Sequence, residues 1–380
     1  MAKKRNTRGT YQVSQPFTVH QYHPYTAPGD AITQQMVFLR HAFRDAAIGG
    51  EIFSSVNYAP EAYQIRKFVP ARLWDCDLLL IHHSQGNPQL DLLLNMPLNK
   101  AMVYHNITPA HFFRHDGEMS RLANQGRRQL ESYRASTSLA FAVSEFNAEE
   151  LRAMGFSDVR LLPLFDLKPS SFHSPTGPIR EDGVRTLLFV GRVCPHKNQM
   201  QLLEILYYLN RFGSTKYRLV LVGKQDLLYR RYLDELIHLW KLEDWVEFRT
   251  GLNTVQLETC YRSADAFLCV SQHEGFCVPL LEAMRFDLPV FANLRAAIGE
   301  TLGNSGVQIL SHRSEQIAEC VDTILSDPKA LEVILNSQAE RVVELEKTQS
   351  AAFAQAQIRS VLTQMRFPEK KFLELPAEQQ

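Results

Sequence analysis

The sequence lacks a charge surplus. Lysine and arginine total 41 and aspartate and glutamate total 41, so the formal net charge is zero. A chain built to grip long nucleic acids carries a basic excess, and its lack here argues against that class of partner. Zinc-binding spacing is also missing. The six cysteines stand at 76, 194, 260, 269, 277 and 320, with no C-x-x-C pair and no Cys/His group at finger spacing. Their scatter suits reduced thiols in a cytoplasmic protein. No apolar run approaches the length of a membrane span. No apolar segment follows the basic start MAKKRNTR, so it does not read as a secretory signal. It reads as a frayed tail, with weak attachment to anionic lipid as the other reading. Gly 18 and Pro 18 exclude collagen-like or low-complexity composition. No repeat of fixed period occurs, and no G-x-G-x-x-G follows the first strand, which argues against a nicotinamide dehydrogenase.

What is present is 380 residues of 45% hydrophobic composition, enough for two or three domains with real cores. Short apolar runs alternate with helical patterns. PFTVHQYH (16–23) reads as a strand, and residues 30–46 as a helix with Ile32, Met36, Phe38, Leu39 and Phe43 on one face. EIFSSV follows as a strand. CDLLLIHHS (76–84) and KAMVYHN (100–106) are continuous apolar runs, as in strands covered on both faces. A polar helix is expected at 117–135, a strand at 138–144, a short helix capped by Asn147, and a strand at 158–164. Residues 165–183 are rich in Pro, Ser and Gly and read as a linker. The alternation then restarts at RTLLFVG (185–191) and runs to about 348. This pattern predicts an α/β chain of two doubly wound parallel-sheet domains, 1–166 and 184–350, facing a cleft.

Two motifs carry chemistry. In FVGRVCPHKN (189–198) a buried strand ends at Gly191, and Arg192 and Lys197 follow before a helix. Two cations beside free helix N–H groups make an anion site suited to a diphosphate; the other reading is an ordinary surface loop. In SQHEGFCVPLLEAM (271–284) Glu274 follows a strand, Gly275 permits a tight turn, and a helix opens near Cys277 or Val278 with Pro279 in its first turn. Glu282 lies eight residues after Glu274. Such carboxylates accept hydrogen bonds from sugar or ribose hydroxyls. They also fit a hydrolytic acid/base pair, or a purely structural role for Glu282.

Together the two motifs, about 75 residues apart, resemble the retaining glycosyltransferases of family 4, which have the GT-B fold of two Rossmann-like domains. The resemblance continues through VYHNITPAHFF (103–113), AVSEFNAEEL (142–151) and GFSDVRLLPL (155–164). It points to a bacterial subgroup that builds surface polysaccharides, with mannosyl-, rhamnosyl- and glucosyltransferases. It implies a metal-independent hexosyltransferase with no cofactor, a nucleotide-sugar donor and a glycan or lipid-linked acceptor. GDP-mannose leads as donor, before UDP-glucose or dTDP-rhamnose. By this resemblance Arg192 and Lys197 neutralise the donor diphosphate. Glu282 holds the ribose, and Glu274 lies near the transferred sugar. Gly191 and the segment Gly275, Phe276, Cys277 and Val278 contact the donor, and Gly251 and Leu252 lie by the base. His105 faces the sugar, Gly29 and Asp30 line the acceptor side, and Glu300 matches a frequent glutamate of uncertain role. A last helix, about 356–380, crosses back to the first domain. Leaving-group stabilisation, with front-face attack through an oxocarbenium-like state, is the implied mechanism.

Two departures stand out. Gly29-Asp30 replaces the family's frequent glycine pair, and Asp287-Leu288-Pro289-Val290 replaces G-x-P-V. Asp75-Cys76-Asp77 spells the D-x-D metal signature of another glycosyltransferase fold but leads straight into a buried strand, where turn residues are the plainer reading. Neighbouring His82 and His83 point to opposite faces of a strand, so buried or acceptor-facing histidines are expected rather than a metal pair. The arginines of 111–134, Arg114, Arg121, Arg127, Arg128 and Arg134, read either as a solvated helix face or as a peripheral membrane contact. A sugar-nucleotide epimerase of the same fold and a non-catalytic sugar-nucleotide-binding subunit are the rival functions.

Overall fold

The computed structural model describes residues 17–113, 116–137, 139–166 and 183–365. The basic start, Arg114, His115, all of the linker except its ends, and the tail after Met365 lie outside the described residues.

The first half runs β1 (Val19–Thr26), α1 (Ala31–Asp45), β2 (Ile52–Asn57), β3 (Ile65–Lys67), β4 (Leu78–His83), α2 (Leu90–Asn95), β5 (Lys100–Tyr104), α3 (Gly117–Ser136), β6 (Leu139–Ala142), α4 (Glu145–Ala153) and β7 (Asp158–Leu161). Its seven strands form one parallel sheet in the order β3-β2-β1-β4-β5-β6-β7. Every residue of β4 is buried, because helices cover both faces. Leu79, Ile81, Met102 and Tyr104 pack on one face. Leu78, Leu80, Ala101 and Val103 pack on the other. The edge strand β3 has only three residues and exposes Arg66 and Lys67, which suits an edge that must not pair further.

The second half runs β8 (Val184–Val190), α5 (Gln199–Phe212), β9 (Lys216–Val222), α6 (Leu227–Leu239), β10 (Val246–Arg249), α7 (Thr254–Arg262), β11 (Ala266–Cys269), α8 (Val278–Arg285), β12 (Val290–Asn293), α9 (Ile298–Leu302), β13 (Val307–Ile309), α10 (Ser314–Leu325), α11 (Pro328–Glu346) and α12 (Ala351–Gln364). Its sheet is also parallel, in the order β10-β9-β8-β11-β12-β13. In α12 the stripe Ala354, Ile358, Val361 and Leu362 is buried with Leu39 and Phe43 of α1. Gln355 Nε2 donates to the carbonyl of Ala42 at 2.8 Å, so this last described helix lies on the first sheet's side.

The expected alternation is present, with four local corrections. The first strand begins and ends about three residues later than expected. In α1, Ile32 and Phe38 are only half-buried, while Gln35 and Arg40 are buried, each through a hydrogen bond to a backbone carbonyl. Asn147 does not cap α4; Ser144 does, its Oγ accepting from Asn147 N at 3.2 Å. β3, α2 and α9 are too short to show a period.

Each sheet reverses strand order once, between β1 and β4 and between β8 and β11. Loops leaving the carboxyl ends of such strands open a crevice there. The functional candidates gather at these two points.

Candidate active site

The loops after β8 and β11 meet at the second switch point. Residues 195–197 form a single 3-10 turn closed by Asn198 in the left-handed region. Asn198 Nδ2 donates to the Val270 carbonyl at 3.4 Å, and Gln272 N donates to the His196 carbonyl at 2.8 Å. These contacts stitch the loops and aim Lys197 at Glu274. Lys197 Nζ lies 2.5 Å from Glu274 Oε1, and both side chains are largely buried. Burial alone would push the Lys197 ammonium down, but Glu274 more than offsets it, so the pKa is raised and the cation is held charged. Arg192 is exposed on the same loop and has no carboxylate partner among the described residues.

Helix α8 opens against this pair. Cys277 precedes it at φ 72°, an uncommon geometry for a non-glycine residue. Among the described residues, the amides of Gly275, Phe276 and Cys277 donate to no protein acceptor. With the positive helix end they favour an anion. One turn into the helix, Glu282 accepts from Tyr261 Oη at 2.7 Å. Burial raises its pKa above the usual carboxylate range, against the pull of Tyr261 and Arg285. Gly251 (φ 69°) and Leu252 follow the carboxyl end of β10, at the same edge of the sheet.

Gly275 is one point at which the two halves touch. A Cβ there would stand 2.8 Å from the His105 carbonyl oxygen, so only glycine lets the loops approach. The Gly275 carbonyl accepts from Ser144 Oγ at 2.9 Å and from Asn147 Nδ2 at 3.2 Å. His273 Nε2 meets Asn106 Oδ1 at 2.6 Å. Burial drives the His273 pKa down to about 4, so the ring is neutral and Nε2–H donates. Glu300 bridges the halves through its carboxylate, which accepts from Glu145 N at 2.6 Å and Phe146 N at 2.7 Å, the first amides of α4. A carboxylate at a helix N-terminus is stabilised by the unsatisfied N–H groups. Glu300 thus joins the two halves rather than facing the loops of the crevice.

On the first sheet's side, His105 follows β5 and its Nε2 lies 2.9 Å from His82 Nδ1. His83 turns to the opposite face, where its Nε2 meets the Gly126 carbonyl at 2.9 Å. Gly29 (φ 71°) precedes α1, and Asp30 caps that helix by accepting from Thr33 N at 2.8 Å. The D-x-D carboxylates sit at the amino end of β4, away from the crevice. Asp77 accepts from Thr18 N at 2.8 Å and Asp75 contacts His20 at 3.0 Å. In α3, Arg127 is a structural tie to Glu150 at 2.7 Å, and Arg134 pairs with Glu131 at 2.9 Å. One group among the described residues has ligand atoms close enough for a cation: Cys269, Glu274 and Cys277, all within 4.8 Å. Lys197 already neutralises that carboxylate, so a cation would have to displace it.

Sequence reasoning missed Tyr261, Asn106, Ser144, His273 and Gln21. Their signal is contact across strands or between halves, which spacing along the chain does not carry.

Residues 177–341 match the family model described as glycosyl transferases group 1. The O-antigen chain mannosyltransferase B of Escherichia coli is 30% identical over 126 residues, covering 32% of this chain and 31% of that protein. The GDP-mannose:cellobiosyl-diphosphopolyprenol alpha-mannosyltransferase of Xanthomonas campestris is 29% identical over 148 residues, 37% of each chain. The matched region thus spans about a third of the length of these relatives. The crystal structure of Anabaena HepE in complex with UDP and glucose superposes with a TM-score of 0.71 at 16% identity, covering 92% of this chain and 100% of that one. Its likeness extends the fold over both halves. Residues 177–341 thus resemble the group 1 glycosyl transferases, and the described residues carry the two-domain GT-B fold.

Proposed function

We propose that this protein transfers a hexose from a nucleotide-diphosphate sugar to a glycan or lipid-linked acceptor, with retention of anomeric configuration and without a metal. GDP-mannose is the first candidate donor, because two relatives are named as mannosyltransferases, one of them for GDP-mannose. The observation that carries the reading is the buried Lys197–Glu274 pair at the mouth of α8, beside exposed Arg192. Charge on a departing diphosphate would develop there, and Lys197, Arg192 and the amides of Gly275 to Val278 would stabilise it. Preformed cations take the place of a metal. Glu282, steadied by Tyr261, is suited to accept from ribose hydroxyls. The acceptor enters against the first domain, between the Gly29–Asp30 turn and His105. The contacts at Gly275 and Glu300 hold the halves together and limit water at the reacting centre. No helix among the described residues is long and apolar enough to cross a membrane. A cytoplasmic enzyme that meets a lipid-linked acceptor at the membrane's inner face is the setting we propose.

The test is a calorimetric panel of GDP-mannose, UDP-glucose and dTDP-rhamnose, followed by product analysis with and without acceptor and with and without a chelator. One donor should bind, transfer should need acceptor, and chelation should leave the rate unchanged. Binding by none of a broad set of nucleotide sugars would overturn the reading. Conversion of donor without acceptor would favour epimerisation.

A further inference from the structure

At the first sheet's switch point, buried Gln21 and His82 and half-buried His105 form a chain that has only one consistent proton arrangement. Gln21 of β1 and His82 of β4 lie on neighbouring strands, with Gln21 level with Leu80, so both face the same side of the sheet. His105 follows β5, two residues beyond Val103, the register partner of His82, and shares that side. Gln21 is 1% exposed and His82 is 0% exposed.

The direction of each bond follows from one end. Gln21 Nε2 lies 2.9 Å from the carbonyl oxygen of Met36. A carbonyl only accepts, so the Gln21 amide must present its NH2 there and its Oε1 to the other side. Oε1 lies 3.1 Å from His82 Nε2, which therefore carries a proton. Burial drives the pKa of His82 well below the ordinary histidine value, with His105 and His23 pushing the same way. A neutral ring protonated at Nε2 has a bare Nδ1. That Nδ1 faces His105 Nε2 at 2.9 Å, so His105 donates from Nε2. His105 is likewise held neutral, first by burial and then by His23 and His83. Its Nδ1 is then bare as well, has no protein partner among the described residues, and is not among the sealed orphan atoms. The other charged groups do not undo this. His23 is itself kept neutral by burial, against Asp30, and Lys197 and Glu274 across the crevice form a closed pair.

We propose that Gln21 and His82 are positioning residues that lock His105 as a neutral hydrogen-bond acceptor, offering Nδ1 to a hydroxyl of the bound hexose. The proposal deepens the hexosyl-transfer reading and rests on it for the identity of the hydroxyl's owner. Its specific content is the tautomer. An N–H at that position would repel nothing but would demand an acceptor, and would favour a different sugar face.

The test begins on the ligand-free wild-type protein with 15N-histidine labelling, where a bare ring nitrogen resonates far from a protonated one. Two coupled rings should each show a protonated Nε2 and a bare Nδ1, unchanged between about pH 5 and pH 8. A protonated Nδ1 on either ring, or ordinary titration of either, would overturn the proposal whether or not the protein transfers sugar. Gln21→Leu then removes the acceptor for His82. The pair should flip, with His82 donating from Nδ1 and His105 protonated at Nδ1, and hexose turnover should fall about tenfold. A folded Gln21→Leu protein with the wild-type spectrum would remove Gln21 from the relay. If Gln21→Leu does not fold, the wild-type spectrum still decides. Absence of any transfer beside the expected tautomers would count against the hexosyl reading alone.

Discussion

The two switch points solve the same positional problem with opposite chemistry. At β8 and β11 the crevice is lined by formal charge: Arg192, Lys197, Glu274 and Glu282. At β1 and β4 it is faced by half-buried His105, backed by buried Gln21 and His82, all polar and neutral. On the proposed function, the difference follows from what each would meet. A diphosphate brings charge, and a cation held by a buried carboxylate is ready for it without reorganising. A sugar hydroxyl brings none, and a neutral ring addresses it without the desolvation cost of an ion. Charged sites announce themselves in sequence because buried charges are rare and sit at motif spacing. The neutral site is assembled by strand register, so its members lie 61 and 23 positions apart and form no motif.

Substitutions can break that contrast. The largest effect is expected at Lys197→Ala, which leaves Glu274 buried without its cation and removes a cation that would stabilise the leaving group. Turnover should drop by about 10²- to 10³-fold, with the far-ultraviolet circular dichroism retained. A folded variant with full turnover would dissolve the charged half of the comparison. Gly275→Ala comes next. Its Cβ would press on the His105 carbonyl, so the halves must part, at a cost of about 1–3 kcal/mol. Small-angle scattering should show a wider molecule and the transfer rate should fall; unchanged scattering and rate would mean the crevice is not held at this contact.

Glu300→Gln keeps the shape of the link between halves but removes its charge and one of its two accepting oxygens. We expect a loss of about 1–2 kcal/mol in thermal unfolding, with donor affinity nearly unchanged. An equal loss in donor affinity would place Glu300 in the site instead. Acid should test the buried neutral histidines of both halves. Burial holds His83 and His273 down to about 4 and His196 to about 2, from an ordinary value of 6.5. Below about pH 6.5 the unfolded chain therefore binds protons that the native chain refuses, and stability falls as pH drops from there. A melting temperature flat from about pH 7 to pH 5 would contradict that burial. The smallest effect is Tyr261→Phe, which frees Glu282 and should weaken donor binding a few-fold, or about 1 kcal/mol.

Much of the fold was legible along the chain. Continuous apolar runs at 76–84 and 100–106 mark strands covered on both faces, and β4 and β5 are those strands. The restart after the linker marks a second sheet. What escaped had too little length to show a period, as in β3 and α2, or depended on contacts that spacing cannot encode. Asn147 has the residue type of a helix cap, yet Ser144 takes that place because its hydroxyl reaches the third amide of the helix. Asn147 instead reaches across to Gly275. The aliphatic face drawn for α1 missed Gln35 and Arg40, which are buried because backbone carbonyls happen to lie within their reach.

By itself the sequence determined the class of the fold and the charged loops after β8 and β11, because hydrophobic period and motif spacing are local properties of a chain. Its balanced charges argue against a strongly basic chain. Tertiary structure decided which charges meet and which neutral groups face them. Only the meeting of the loops after β8 and β11 pairs Lys197 with Glu274, and only the shared face of β1, β4 and β5 sets Gln21, His82 and His105 in line. Hydrogen-bond direction is a property of that arrangement, because each proton is placed by the group opposite it.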